Sequence, residues 1–230
     1  MVGILIIPAI FMIIGMVVQS MLKSKFAAYS KVPTGSGLSG KEVAEKMLHD
    51  NGIFDVSVVS VAGFLSDHYD PSKKTVNLSP DVFTGRNVSA AAVAAHECGH
   101  AVQHAKAYSM LKLRSALVPA VQISTNLSQW VILIGIGLFG FGGGNQTVLL
   151  IGIILFAIST LFSVITLPVE FDASARALKW LNSSHLTAPI EHEKAKDALK
   201  WAALTYVVAA LASIAMLVQY ILIYQGRSRE

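Results

Sequence analysis

His96, Glu97 and His100 stand in the string His96-Glu97-Cys98-Gly99-His100, two imidazoles four residues apart with a carboxylate directly after the first. On a helix, residues four apart lie one above the other on the same face, so both rings can grip one ion. Zinc favours imidazole nitrogen, and a catalytic zinc keeps a fourth coordination position for water. Such a metal lowers the pKa of that water, and Glu97 can take its proton during attack on a peptide carbonyl and later pass it to the leaving amine. A short pattern of this kind also arises in unrelated proteins as two helical histidines facing a polar surface. The functional reading therefore needs a third ligand.

His104 continues the same stripe but cannot supply it. His96 and His104 are separated by about 12 Å along a helix rising 1.5 Å per residue. The position ten after His96, which another zincin subtype uses, is Lys106. The best candidate is Glu170, in Pro168-Val169-Glu170-Phe171-Asp172-Ala173-Ser174-Ala175-Arg176. A carboxylate at a membrane edge is costly unless paired or bound to a cation. Ala173, Ser174 and Ala177 share its helical face, and residues that small allow close approach to the helix carrying the histidines. Cys98 is the only cysteine, which forbids an intrachain disulfide; it reads as a small buried residue rather than a nucleophile.

The elements that must position these groups follow from charge and hydropathy. Of 230 residues, 53% are hydrophobic and 14% charged, against roughly 25% charged in soluble domains. Met1–Leu22, Ser115–Val169 and Trp201–Gly226 contain no Asp, Glu, Lys or Arg. A membrane-spanning helix needs about 20 apolar residues, so the first and last stretches hold one span each. The middle one holds two, joined at Gly140–Thr147, where clustered glycines and Asn145 mark a turn. Four spans result. Met1–Leu22 reads as an uncleaved anchor, because the basic residues Lys23 and Lys25 follow the apolar run and none precedes it.

Residues 23–114 and 170–200 carry nearly all the Lys and Arg, which assigns both to the cytoplasmic side. That also accounts for the net charge of +4 without nucleic acid. The layout is an anchor (1–22), a cytoplasmic α+β domain (23–114), a transmembrane hairpin (115–169), a cytoplasmic third-ligand segment (170–200), and a last span with its tail (201–230). Because His96 and Glu170 must share one side, the stretch between them must cross the membrane an even number of times, as two spans do. Within residues 23–114, Ser39 with Glu42 gives a capping box for a helix near Lys41–Asn51. Asp55–Phe64 and Thr75–Ser79 read as a hairpin or strand pair, and a helix runs from Asn87–Ser89 through His104. The strand near Thr75–Ser79 is expected either to offer an open edge to an extended substrate or to be ordinary core.

With these residues in hand, the chain resembles the neutral zinc membrane metallopeptidases of the YugP type. The resemblance rests on DHYDPSKKTVNLS (Asp67–Ser79), AVAAHECGHAVQH (Ala92–His104), LPVEFDASARAL (Leu167–Leu178) and AALTYVVAAL (Ala202–Leu211). It implies a mainly α, four-span membrane protein with a zincin-like domain, one Zn2+ per chain held by His96, His100 and Glu170, and Glu97 as general base. It also implies a multi-pass protein of a prokaryotic cell membrane, acting on peptides or proteins, membrane proteins included. The family is distantly similar to gluzincin membrane proteases of prenylated or misfolded proteins. Those carry an Asp four residues after the ligand Glu, where this chain has Ser174. Asp172 can instead orient a histidine ligand or pair with Arg176.

Other residues stay open. His68, Tyr69, Arg176, His192 and Tyr206 are each able to stabilise an oxyanion or to serve the fold alone, and His49 and His185 read as surface residues. Two further readings compete: an intramembrane protease with the motif inside a span, and a metal-binding membrane scaffold without turnover.

Overall fold

The computed structural model describes residues 2–138 and 144–227. Its elements run α1 (Val2–Tyr29), α2 (Gly40–Asp50), β1 (Ser57–Ser60), β2 (His68–Asp70), β3 (Thr75–Leu78), α3 (Pro80–Thr84), α4 (Val88–Ala105), α5 (Ser109–Ile136), α6 (Gln146–Ser183) and α7 (Pro189–Arg227). The protein is mainly helical with one small mixed sheet. Among the described residues, four helices are long and apolar enough to cross a membrane, over Ile6–Tyr29, Ser109–Ile136, Gln146–Ser183 and Pro189–Gly226. Large apolar side chains such as Met16, Trp130, Ile154 and Leu222 are exposed on them, a surface that water would not tolerate over such an extent but lipid would. α4, which carries the histidines, is not among these four helices.

One boundary differs from the layout read in the sequence. Residues 170–183, placed there in a segment separate from the hairpin, continue α6, which passes through Pro168 without ending. A proline in a long apolar helix removes one N–H, a loss that neighbouring helices and side chains can absorb. The glycine-rich connection falls partly on residues 139–143, outside the described residues. Beside them Gly137 and Gly144 adopt φ of 83° and 86°, and the Asn145 side chain accepts from Val148 N at 3.0 Å at the start of α6.

The chain forms two compact units. The first comprises Met1–Met16, Leu113–Leu167 and Tyr206–Glu230. Its interior is a cluster of Ile132, Leu149, Ile153 and Tyr220. Small residues set the approach of α5 to α6: a Cβ on Gly135 would lie 2.5 Å from Leu149 Cα, and one on Gly152 would lie 2.6 Å from Ile132 Cγ1. Between apolar helices in lipid, such close backbone packing is a main source of attraction.

The second unit comprises Val17–Lys112 and Pro168–Thr205. Ser39 accepts from Glu42 N, and Glu42 Oε2 accepts from Ser39 N at 2.7 Å, closing the capping box that begins α2. α2 lays Val43, Ala44, Met47 and Leu48 into a core shared with Val76, Leu78 and the alanines of α4. The sheet has the order β1-β3-β2. β1 runs parallel to β3, pairing Ser57 with Thr75, while β2 and β3 form an antiparallel hairpin pairing His68 with Asn77. The hairpin turn is held by Asp70 Oδ1, which accepts from Ser72 N at 2.9 Å and Ser72 Oγ at 2.6 Å. β3 is therefore the central strand, and the open edge considered at Thr75–Ser79 is not there. The two Val-rich runs do pair, but in parallel, because β2 takes the hairpin position beside β3.

Adding a methyl group at Gly135 should therefore push α5 from α6, lowering stability by about 1–3 kcal/mol. A Cβ on Gly15 meets nothing within 4 Å, so Gly15→Ala should not destabilise. Thermal or denaturant unfolding of Gly135→Ala and Gly15→Ala in detergent compares them; equal stability would contradict the close packing.

Candidate metal centre

Asn87 begins α4 by accepting from Ala90 N at 2.9 Å, and the alanine-rich sequence that follows is buried on nearly every side. Of its 18 residues, 15 are buried, which makes it a central helix of its unit rather than a half-exposed one. Alanine and glycine let neighbours come close. A Cβ on Gly99 would sit 2.6 Å from the carbonyl oxygen of Ala173, so α4 and α6 meet there almost backbone to backbone. Ala173 and Ala177 are fully buried. Those are the small residues whose face was expected to approach the histidine helix.

This crossing brings Glu170 to the two imidazoles. Glu170 Oε2 lies 3.4 Å from His96 Nε2 and 3.6 Å from His100 Nε2, and the rings themselves stand edge to face with centroids 4.9 Å apart. One donor atom from each of His96, His100 and Glu170 falls within 4.8 Å of the others, so the three could hold a metal ion. The donor set fits zinc in kind and in spacing. Ligands about 2.05 Å from a tetrahedral zinc lie about 3.3–3.4 Å from one another. Glu170 is 3% exposed, yet its Oε2 has no hydrogen-bond partner. A buried carboxylate oxygen left without a hydrogen bond is costly, and a cation between it and the two imidazoles would offset that cost.

Both histidines are braced at their other nitrogen. His96 Nδ1 lies 3.1 Å from Ser174 Oγ, so the residue four positions after Glu170 touches a ligand histidine even though it is not an Asp. His100 Nδ1 lies 3.1 Å from Gln103 Oε1, and Gln103 Nε2 donates to Val169 O and to Asp172 Oδ2, each at 2.8 Å. Asp172 also accepts from Arg176 Nε at 2.5 Å and Nη2 at 3.3 Å. Of the two roles weighed for Asp172, the pairing with Arg176 is present, while the group that reaches the second nitrogen of a histidine is Gln103, with Asp172 behind it. Gln103 was not singled out in the sequence. Its position three after His100, on the same helical face, was the available signal.

Glu97 lies beside the ligands and is 8% exposed. Burial raises its pKa above the usual carboxylate range; His96 and His100 oppose that, while Glu170 and Asp67 add to it. For His100, burial favours the neutral ring, but the Glu170 and Glu97 carboxylates outweigh it and raise its pKa. Cys98 is fully buried, its thiol donating to Ala44 O at 3.5 Å, and burial pushes its pKa well up. It is the inert packing residue that was expected.

The remaining candidates lie outside the three-residue group. His104 Nδ1 is 2.9 Å from Tyr69 Oη, and His68 Nδ1 lies 2.8 Å from Ser66 O. Arg176 is engaged by Asp172. His192 Nδ1 is buried and unpartnered, and Tyr206 is 39% exposed. His49 stacks edge-on against Phe54 with centroids 5.0 Å apart, and His185 is exposed.

Comparison with known proteins agrees with this chemistry. Residues 4–225 match a family described as "Putative neutral zinc metallopeptidase". The chain is 42% identical over 213 residues, 92% of each sequence, to the "Putative membrane protease YugP" of Bacillus subtilis (strain 168). None of the solved structures matches it.

The bracing of His96 makes Ser174→Ala informative. Loss of the hydroxyl should weaken zinc binding about 10-fold, the lower end for partners of ligand histidines, without unfolding the protein. Competition with a chromophoric chelator measures this, and unchanged affinity would remove Ser174 from the site.

Proposed function

The chain belongs to the neutral zinc metallopeptidase family, and from that membership we propose that it is a zinc-dependent endopeptidase built into a membrane. The observation that carries the reading is the buried Glu170 Oε2, without a hydrogen bond, facing His96 Nε2 and His100 Nε2, with Glu97 directly after His96 in sequence. His96, His100 and Glu170 would hold one zinc ion per chain. When bound, zinc would supply Lewis-acid polarisation of a water and of the scissile carbonyl. Glu97 accepts the proton of the attacking water and returns it to the departing amine. Ser174 and Gln103 hold the two imidazoles with Nε2 facing the ion, and the packed surroundings of α4 keep bulk solvent away from the reacting groups.

The substrate is a peptide or protein, membrane proteins included. β2 is an edge strand of the sheet, and an extended substrate can add its backbone along such an edge. Lys23, Lys25, Lys112, Arg114, Arg176 and Lys179 flank the apolar stretches, which supports a catalytic side facing the cytoplasm. In this reading residues 23–114 form a zincin-like domain, 170–200 return the third ligand to it, and the apolar segments anchor both. The bacterial relative supports a prokaryotic cell membrane as the setting.

Replacing Glu97 by Gln keeps shape and removes the base. Glu97→Gln should bind one zinc per chain like the unaltered protein but cleave an unfolded protein substrate at least about 1,000-fold more slowly, near the upper part of the range for positioned acid–base groups. Treatment with a chelator should abolish cleavage by the unaltered protein, and added zinc should restore it. Full proteolysis by a folded, zinc-loaded Glu97→Gln protein would exclude the mechanism.

A further inference from the structure

We propose that Gln103 is the positioning residue that sets the tautomer of His100 and ties it to the backbone bearing Glu170. The inference rests on the zinc site proposed above and concerns how this chain prepares it.

Gln103 is completely buried, and a primary amide in such a position must find partners for its donors and its acceptor. Its two N–H bonds are both spoken for. Nε2 lies 2.8 Å from Val169 O and 2.8 Å from Asp172 Oδ2, and neither a carbonyl nor an ionised carboxylate can donate. Turning the amide over would set Oε1 against both acceptors and leave at least one N–H of the amide unsatisfied. The orientation with Oε1 toward His100 is therefore the only one that satisfies the group. Oε1 cannot donate, so the hydrogen in the 3.1 Å contact belongs to His100 Nδ1. In the neutral ring the proton of His100 is therefore on Nδ1, and Nε2 keeps its lone pair on the side of Glu170 Oε2, 3.6 Å away.

The same amide acts on the second ligand. Val169 precedes Glu170, and its carbonyl accepts the Gln103 N–H across the α4–α6 contact. One side chain thus orients a ligand ring on α4 and fixes the backbone next to the carboxylate ligand on α6. The outer end is anchored as well. Asp172 is held by the Arg176 guanidinium through two bonds, and that guanidinium lies over the Tyr108 ring, 5.9 Å from its centroid. The network runs from Tyr108 to the metal position, and Gln103 is the member that touches both ligand-bearing helices.

The test uses the full-length protein in detergent, isotope-labelled for histidine ring nitrogen NMR. In the metal-free unaltered protein at alkaline pH, where the ring is neutral, His100 should be the Nδ1–H tautomer. Gln103→Met, close in volume but without the amide, should shift His100 toward the Nε2–H form and weaken zinc binding about 10- to 100-fold. Gln103→Glu should fail to restore the native affinity, because its carboxylate would face Asp172 and Val169 O. An Nε2–H tautomer in the unaltered protein would overturn the inference without any substitution, should Gln103→Met fail to fold. A folded Gln103→Met protein with native tautomer and native zinc affinity would also overturn it, while leaving the zinc site standing. Failure of the unaltered protein to bind zinc would instead overturn the site itself.

Discussion

The structure depends on how closely α4 can approach α6. Two candidate ligands sit on one helix and the third on another, with about 70 residues of chain between them, and only a narrow crossing lets their side chains meet. Gly99 facing the Ala173 carbonyl provides that crossing, since even a methyl group there would fall 2.6 Å from the oxygen. The glycine inside the zinc motif thus serves the motif indirectly, by letting the helix of Glu170 lie against it. Once the helices touch, the ligand positions follow from helical geometry: His96 and His100 one turn apart on α4, and Glu170 with Ser174 one turn apart on α6.

The contact gathers polar groups in a protein that is otherwise short of charge. Glu97, His100, Gln103 and Glu170 are all buried within a core of alanine, valine and leucine. Buried charges are destabilising unless matched by partners or ions. Most of this set is matched by the protein: Ser174 for His96, Gln103 for His100, Asp172 and Val169 O for Gln103. Glu170 Oε2 is buried without a hydrogen bond, at the point where three possible metal-donor atoms converge. A single divalent cation would complete the electrostatics of the cluster, which makes metal binding and the stability of this core one problem.

Much of this was legible from local signals. Apolar runs marked the four helices, because length and hydropathy are properties of a segment by itself. The capping box at Ser39 and Glu42 and the start of a helix near Asn87–Ser89 were readable for the same reason. Glu170 could be picked out because a carboxylate at the end of an apolar run demands an explanation. Strand order was not readable. Whether β3 is an edge or the centre depends on partners chosen across the fold, and β2 is only three residues long. The third-ligand segment was read as separate from the span before it, yet α6 continues through Pro168. The bracing roles of Ser174 and Gln103 were hidden for another reason: serine and glutamine do no chemistry alone, and such roles appear only once the histidines they touch have been located in space.

The most direct measurement is a crystal structure of the zinc-loaded protein with an anomalous difference map collected at the zinc absorption edge. The expected result is one strong peak per chain, about 2.0–2.2 Å from His96 Nε2, His100 Nε2 and a carboxylate oxygen of Glu170. A peak held by other residues, or a Glu170 side chain turned away from an ion bound to the two histidines, would contradict it.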